Sequence, residues 1–129
     1  MIVADASVVV DFLLAGGERG EWARVELGRG DLHAPHLLDY ETASVTRRKV
    51  LRGEVSVERG TRALKVFKAL RVVRYPAAPF VARAWTLRDS LSSGDAYYVA
   101  LAEALACPLV TTDGRLARSH GHDAVVRSP

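Results

Sequence analysis

Four carboxylates stand in contexts that separate them from the other acids of the chain. Asp5 closes the apolar run Ile2-Val3-Ala4, and Asp113 closes the run in PLVTTD, so both follow strand-like stretches directly. Asp95 opens the segment SGDAYYVALAEAL, and Glu41 lies within HLLDYETASVTRRKVLRG. Three of them have an ordinary use. Asp5 can cap a helix starting at Ala6 or Ser7, and Asp113 can cap a short helix over Gly114–Arg118. Asp95 suits the first turn of a helix running to Ala106. A capping carboxylate is typically worth ~1 kcal/mol. Glu41 resists that account. Leu37, Leu38, Ser44 and Val45 lie three or four residues from it and share its helical face, whereas Asp39 points elsewhere. A carboxylate on an apolar face is costly unless it is paired or bound to a cation. Arg48, two turns on, is the candidate partner in the first case.

If the four converge, carboxylates ~4 Å apart repel by roughly 4 kcal/mol per pair at an effective dielectric near 20. Only cations or raised pKa values make such a cluster tolerable. Oxygen ligands without Cys or well-placed His select Mg²⁺ or Mn²⁺ over zinc. Mg²⁺ keeps several waters and favours phosphate oxygens among its remaining ligands. The chemistry expected is metal-assisted attack of water on a phosphodiester.

Positioning four such residues falls to short elements. Runs rich in β-branched residues mark strands at Ile2–Ala4, Leu32–Ala34, Val72–Tyr75, Leu109–Thr111 and Ala124–Val126. Helical periodicity falls between them: Tyr98, Leu101, Ala102 and Leu105, then Ala63, Val66, Phe67 and Leu70. Val81, Ala84, Trp85 and Arg88 predict a further helix after Pro79, and Trp22, Val25 and Leu27 a short one near the start. Alternating strands and helices imply a mainly parallel five-stranded sheet covered on both faces. Ligands of such sheets bind beyond the carboxyl ends of the strands. Asp5 and Asp113 belong on that edge.

The motifs IVADASVVV, PHLLDYETASV, SGDAYYVALAEAL and PLVTTDGRL together resemble the PIN-domain ribonucleases, and among them the VapC-type toxins of bacterial toxin–antitoxin pairs. The resemblance runs along the whole chain, although residues 53 to 90 carry no motif. It implies a single PIN domain over residues 1–129, built as a three-layer α/β/α sandwich. It also implies a Mg²⁺-dependent endoribonuclease, with Mn²⁺ as a substitute, commonly a homodimer. A small VapB-type antitoxin whose tail blocks the acidic site would be its partner. Asp5, Asp95 and Asp113 would be the principal metal ligands, with Glu41 acting through water or at the metal's edge. Ser7 and Thr112 match the family's neighbouring hydroxyls, suited to support of the ligands or to phosphate contact.

Charge is compatible with a polyanionic substrate. Setting the four acids aside leaves 18 basic residues against 11 acidic ones, so the remainder of the chain is strongly positive. Arg47, Arg48 and Arg52 follow Glu41, and Arg115 and Arg118 follow Asp113; these are the candidate RNA contacts, with solvated surface charge as the alternative. The abundance of Arg over Lys decides nothing, because GC-rich coding produces it as well. His120 and His122 have a metal-like spacing but lie in a Gly-containing loop with no evident third ligand. His33 and His36 border the Glu41 helix, where a structural role competes with that of a base.

The chain's 129 residues suffice for one domain with its own core. Asp5 and Asp11 interrupt the opening apolar stretch, and no basic segment precedes it, which argues against a secretory signal. Cys107 is the single cysteine, so no internal disulfide forms, as expected of a reducing cytoplasm. It reads as a small buried residue, with a nucleophile as the alternative. Two other classes of function compete. One is a catalytically idle PIN-like module binding RNA or protein, which an intact acidic quartet argues against. The other is a metal-dependent DNA nuclease or phosphatase. A haloacid-dehalogenase type of phosphatase would need a second Asp at position 7, where Ser7 stands.

Overall fold

The computed structural model describes residues 1–129. Strands β1 (Ile2–Ala4), β2 (Leu32–Pro35), β3 (Val72–Tyr75), β4 (Leu109–Val110) and β5 (Val126–Arg127) form one sheet. Its order is β3-β2-β1-β4-β5, and every neighbouring pair is parallel. Seven helices flank it: α1 (Ala6–Leu14), α2 (Gly17–Leu27), α3 (Leu37–Leu51), α4 (Val57–Ala69), α5 (Val81–Thr86), α6 (Ser93–Leu105) and α7 (Gly114–Ala117). The architecture is the α/β/α sandwich that the alternation of patterns predicts, with the sheet wholly rather than mainly parallel. The last strand lies two residues later than its apolar run suggests, because Val126 is the residue that registers with Leu109.

Helix α1 shows tertiary packing overriding local preference. Val8, Val9 and Val10 are β-branched, a poor choice for a helix interior. All three are buried in the core, and each fully buried Val contributes about 1.5–3 kcal/mol, which outweighs a propensity cost of a few tenths. Asp5 starts the helix by accepting the Val8 N–H. Helix α6 lies across β1, β2 and β4, with Tyr98, Val99, Leu101 and Ala102 buried beneath it and α5 packed alongside. It stops at Ala106, which takes a left-handed φ of 51° as its cap.

The strand order decides where the carboxylates go. From β1 the chain steps outward to β2 and β3, then returns to place β4 and β5 on the other side of β1. The order therefore reverses between β1 and β4, and the crevice beyond their carboxyl ends is where parallel sheets bind ligands. Asp5 follows β1 and Asp113 follows β4 by three residues.

Candidate active site

Asp5 is nearly sealed, with 5% of its surface exposed. Its backbone N–H donates to the Val110 carbonyl at 3.2 Å, so the ends of β1 and β4 are tied together at this residue. Ser7 Oγ donates to Oδ1 at 2.7 Å, and Thr111 Oγ1 donates to Oδ2 at 2.7 Å. Burial pushes the carboxyl up to about 6, against the pull of the Ser7, Thr111 and Val8 hydrogen bonds; the charge of Asp95 raises it further. Capping and site membership are thus not alternatives here. One oxygen of Asp5 caps α1 while the whole group faces the crevice.

Asp113 repeats the arrangement at lower burial. Its carboxylate caps α7 by accepting the Arg115 N–H at 2.9 Å, and its own N–H donates to Thr111 Oγ1 at 2.9 Å. Asp95 is not the cap of α6. Ser92 is, accepting the Asp95 N–H at 3.3 Å, which leaves the Asp95 carboxylate free in the first turn. Burial raises its pKa, Ser92 opposes the rise, and Asp113 adds to it.

Glu41 sits at the margin of the buried stripe of α3. That stripe is Leu38, Thr42 and Thr46, one position round from the face its neighbours implied. The partner of Glu41 is not Arg48 but Tyr98, whose hydroxyl donates to Oε1 at 2.7 Å. Burial raises the Glu41 carboxyl, the Tyr98 bond lowers it, and Asp95 raises it again. Tyr98 in turn is held far above the ordinary phenol range, chiefly by burial and then by Glu41, so it stays a donor. Gly94 makes room for this: a β-carbon there would stand 3.2 Å from Glu41 Oε2.

Asp5, Glu41, Asp95 and Asp113 all line one cavity of roughly 580 Å³, together with Ser7, Tyr98 and Thr112. Arg48 and Arg115 line it as well, and so does Arg19. Arg47 faces a separate groove between α3 and α4, Arg52 stands exposed at the end of α3, and Arg118 folds back over Gly114. No histidine lines the acidic cavity. His33 pairs with the Tyr75 hydroxyl and His122 with Ser119, both at 2.8 Å, while His36 and His120 are exposed.

Two participants escape a reading of the sequence. Thr111 bridges Asp5 and Asp113, whereas the adjacent Thr112 hydroxyl donates to Asp11 Oδ2 at 2.6 Å. The Thr-Thr pair flags a hydroxyl near Asp113, but only the packing of β4 beside β1 says that it is Thr111 whose hydroxyl meets Asp5. Arg19 pairs with Asp11 and donates to the Thr112 carbonyl at 3.2 Å, which holds its guanidinium at the rim. Nothing in its local sequence distinguishes it.

The donor set fits a hard divalent cation. The cavity offers carboxylate and hydroxyl oxygens with no thiol or imidazole, and Asp95 raises the pKa values of both Asp5 and Glu41. A cation would relieve that mutual repulsion. No three His, Cys, Asp or Glu side chains stand close enough to cage an ion by themselves. An open ring of acids suits Mg²⁺, which takes one or two carboxylates and completes its shell with water and phosphate.

An all-parallel sheet with carboxylates gathered at its reversal point defines an α/β/α protein of the PIN type. Residues 2–120 match the PIN domain model, and the chain belongs to the PIN-domain family. It is 47% identical over 116 residues to ribonuclease VapC9 of Mycobacterium tuberculosis, covering 90% of this chain and 88% of that one. It is 42% identical over 126 residues to ribonuclease VapC12 of the same organism, covering 98% and 97%. Among solved structures, VapC20 of M. tuberculosis, described as a sarcin–ricin loop cleaving toxin, superposes with a TM-score of 0.72 at 17% identity over 97% of this chain and 98% of that one. VapBC2 of Rickettsia felis, bound to a promoter DNA fragment, gives 0.68 at 13% identity over 100% and 99%. Both structures share the fold.

Proposed function

We propose that this chain is a Mg²⁺-dependent endoribonuclease and the toxin of a VapBC-type pair. The observation that carries the reading is that Asp5, Glu41, Asp95 and Asp113 line one cavity with neither thiol nor imidazole, which Arg48, Arg115 and Arg19 line as well. Relatives sharing more than two-fifths of their residues over nine-tenths of the chain carry the name ribonuclease.

Asp5, Asp95 and Asp113 would hold the cation, and Glu41 would hold water at its edge. Bound there, Mg²⁺ supplies Lewis acidity and a more acidic water for attack on phosphorus. Ser7 and Thr111 keep Asp5 oriented by filling one lone pair on each oxygen. Tyr98 fixes Glu41 and favours its ionised form. Arg48 and Arg115 contact phosphates on either side of the cut. Water made more acidic by the cation, rather than the substrate's 2′-hydroxyl, would be the nucleophile, so the products would carry 5′-phosphate and 3′-hydroxyl ends. The partner is a small antitoxin closing the same cavity, and the working form is a homodimer.

Cleavage of single-stranded RNA in Mg²⁺, Mn²⁺ or EDTA, with analysis of the end groups, tests this. Asp95→Asn is the control: Ser92 keeps the helix cap, so folding survives while activity falls at least about a hundredfold. Full activity in EDTA, or 2′,3′-cyclic phosphate products, would sink the reading. Cleavage of DNA in place of RNA would favour a DNA nuclease.

A further inference from the structure

The periodicity of Val81, Ala84 and Trp85 suggests an inward stripe for α5, yet only Ala84 is buried. Trp85 remains 67% exposed, the most exposed aromatic residue after Tyr40, and Val81 beside it is 52% exposed. One face of the indole is taken by the Arg88 guanidinium, 4.7 Å from the ring centroid, which also donates to the Trp85 carbonyl at 3.0 Å. Both residues line a second cavity of roughly 520 Å³, within the range of small-molecule sites, together with Leu91, Tyr97 and Ser92.

Ser92 lines this cleft and the acidic cavity alike. The first two turns of α6 are the partition: Asp95 and Tyr98 line the acidic cavity, and Ser93 and Tyr97 line the Trp85 cleft. A chain lying across Ser92 with a phosphate among the carboxylates therefore places its neighbouring residue in the Trp85 cleft. We propose that this cleft is a nucleobase subsite, in which Trp85 stacks the unpaired base next to the cut and Arg88 contacts the adjoining phosphate. The inference rests on the RNA-cutting function proposed above and narrows its substrate to RNA with an unstacked base beside the scissile bond. Stacked bases of a duplex are not available to an aromatic side chain, whereas every splayed-out base presents a π-face.

The alternative occupant is a second copy of this chain. Val81 and Trp85 are the only large apolar side chains exposed on this helix, and two side chains cannot supply the ~800 Å² per partner of a standard interface. The stacked Arg88 also places a cation beside the aromatic face, which complements a phosphate better than an apolar helix.

The test compares the full-length protein with Trp85→Ala, Trp85→Phe and Arg88→Ala on a short single-stranded RNA holding one cleavable bond. The same RNA with an abasic ribose flanking that bond is the second substrate. Trp85→Ala is expected to raise KM about five- to a hundredfold, the range of base-on-aromatic stacking, with kcat changed far less; Trp85→Phe restores most of the loss. On the abasic RNA the wild type drops to the level of Trp85→Ala, and the variant loses nothing more. Arg88→Ala flattens the salt dependence of binding. An unchanged KM for Trp85→Ala, or an equal loss on the abasic RNA, overturns the subsite. Sedimentation velocity showing that Trp85→Ala dissolves an oligomer assigns the patch to a second copy and also overturns it. If the wild type neither binds nor cuts RNA, the proposed function falls with it; if it cuts and Trp85→Ala is indifferent, only the subsite falls.

Discussion

The phenol of Tyr98 donates a 2.7 Å hydrogen bond to Oε1 of Glu41, joining α6 to α3 across the wall of the acidic cavity. The bond is charge-assisted and half-buried, so Tyr98→Phe should cost about 1–2 kcal/mol of stability. The more telling effect is on titration. The bond lowers the Glu41 pKa, which burial and Asp95 hold above the ordinary carboxyl value. Its loss lets that pKa rise further, so the acid limb of the pH–rate profile moves to higher pH. A pH–rate comparison of the two proteins checks this, and an unmoved limb would show that Glu41 does not act in its ionised form.

Gly94 allows the Glu41 carboxylate to rest against the first turn of α6. Gly94→Ala puts a methyl group 3.2 Å from Oε2, closer than relaxed packing allows. Replacing Gly by Ala in a helix otherwise gains roughly 0.5–1 kcal/mol. Melting temperature should hold or rise while cleavage falls, because Glu41 is displaced and the helix is not. A parallel loss of stability would mean that α6 itself had moved.

Asp5 gives the metal-free protein a pH dependence whose sign follows from its raised pKa. Below pH 3.8 the group is protonated folded and unfolded, and its contribution to stability is fully present. Between there and about 6 the unfolded chain has released the proton while the folded chain retains it, so stability declines as pH rises. The shift corresponds to about 3 kcal/mol at most. Asp5→Asn keeps a capping oxygen and lacks the penalty. Scanning calorimetry in EDTA should show the variant gaining on the wild type from pH 4 to pH 7, and added Mg²⁺ should recover stability for the wild type alone. A constant difference across that range would contradict the burial assigned to Asp5.

Arg48 and Arg115 reach the cavity while Arg52 does not. Each phosphate contact with a single strand contributes about 0.7 to the slope of log affinity against log salt. Arg48→Ala and Arg115→Ala should each lower that slope by about 0.7 and weaken binding to every RNA alike, with Arg52→Ala close to the wild type. Filter binding between 50 and 200 mM salt, in the inactive Asp95→Asn background, measures it over the range where such slopes are resolved. Equal slopes for all three variants would reduce these residues to general surface charge.

The strands were legible because β-branched runs bounded by turn residues act within a few positions: β1 and β3 fall where their runs predict, and β5 slips only because it must register with β4. Three of the acids were legible for the same reason, Asp5 and Asp113 by the strands they follow and Asp95 by the helix it opens. Glu41 shows the limit of such signals. Its helical face could be approximated from neighbours three and four residues away, but its partner lies 57 residues distant on another helix. Likewise Thr111 meets Asp5 across 106 residues because β1 and β4 are neighbours in the sheet, a pairing set by strand order. Arg19 carries no local mark at all, and Trp85 carries a misleading one, a helical stripe that reads as buried. One is held at the rim by Asp11 and Thr112; the other is left in the open by the short helix that buries Ala84 instead. Backbone propensity and hydrophobic period act over a turn or a strand and so determine which residues can do chemistry. Which of them meet depends on how distant elements pack, and that only the tertiary structure decides.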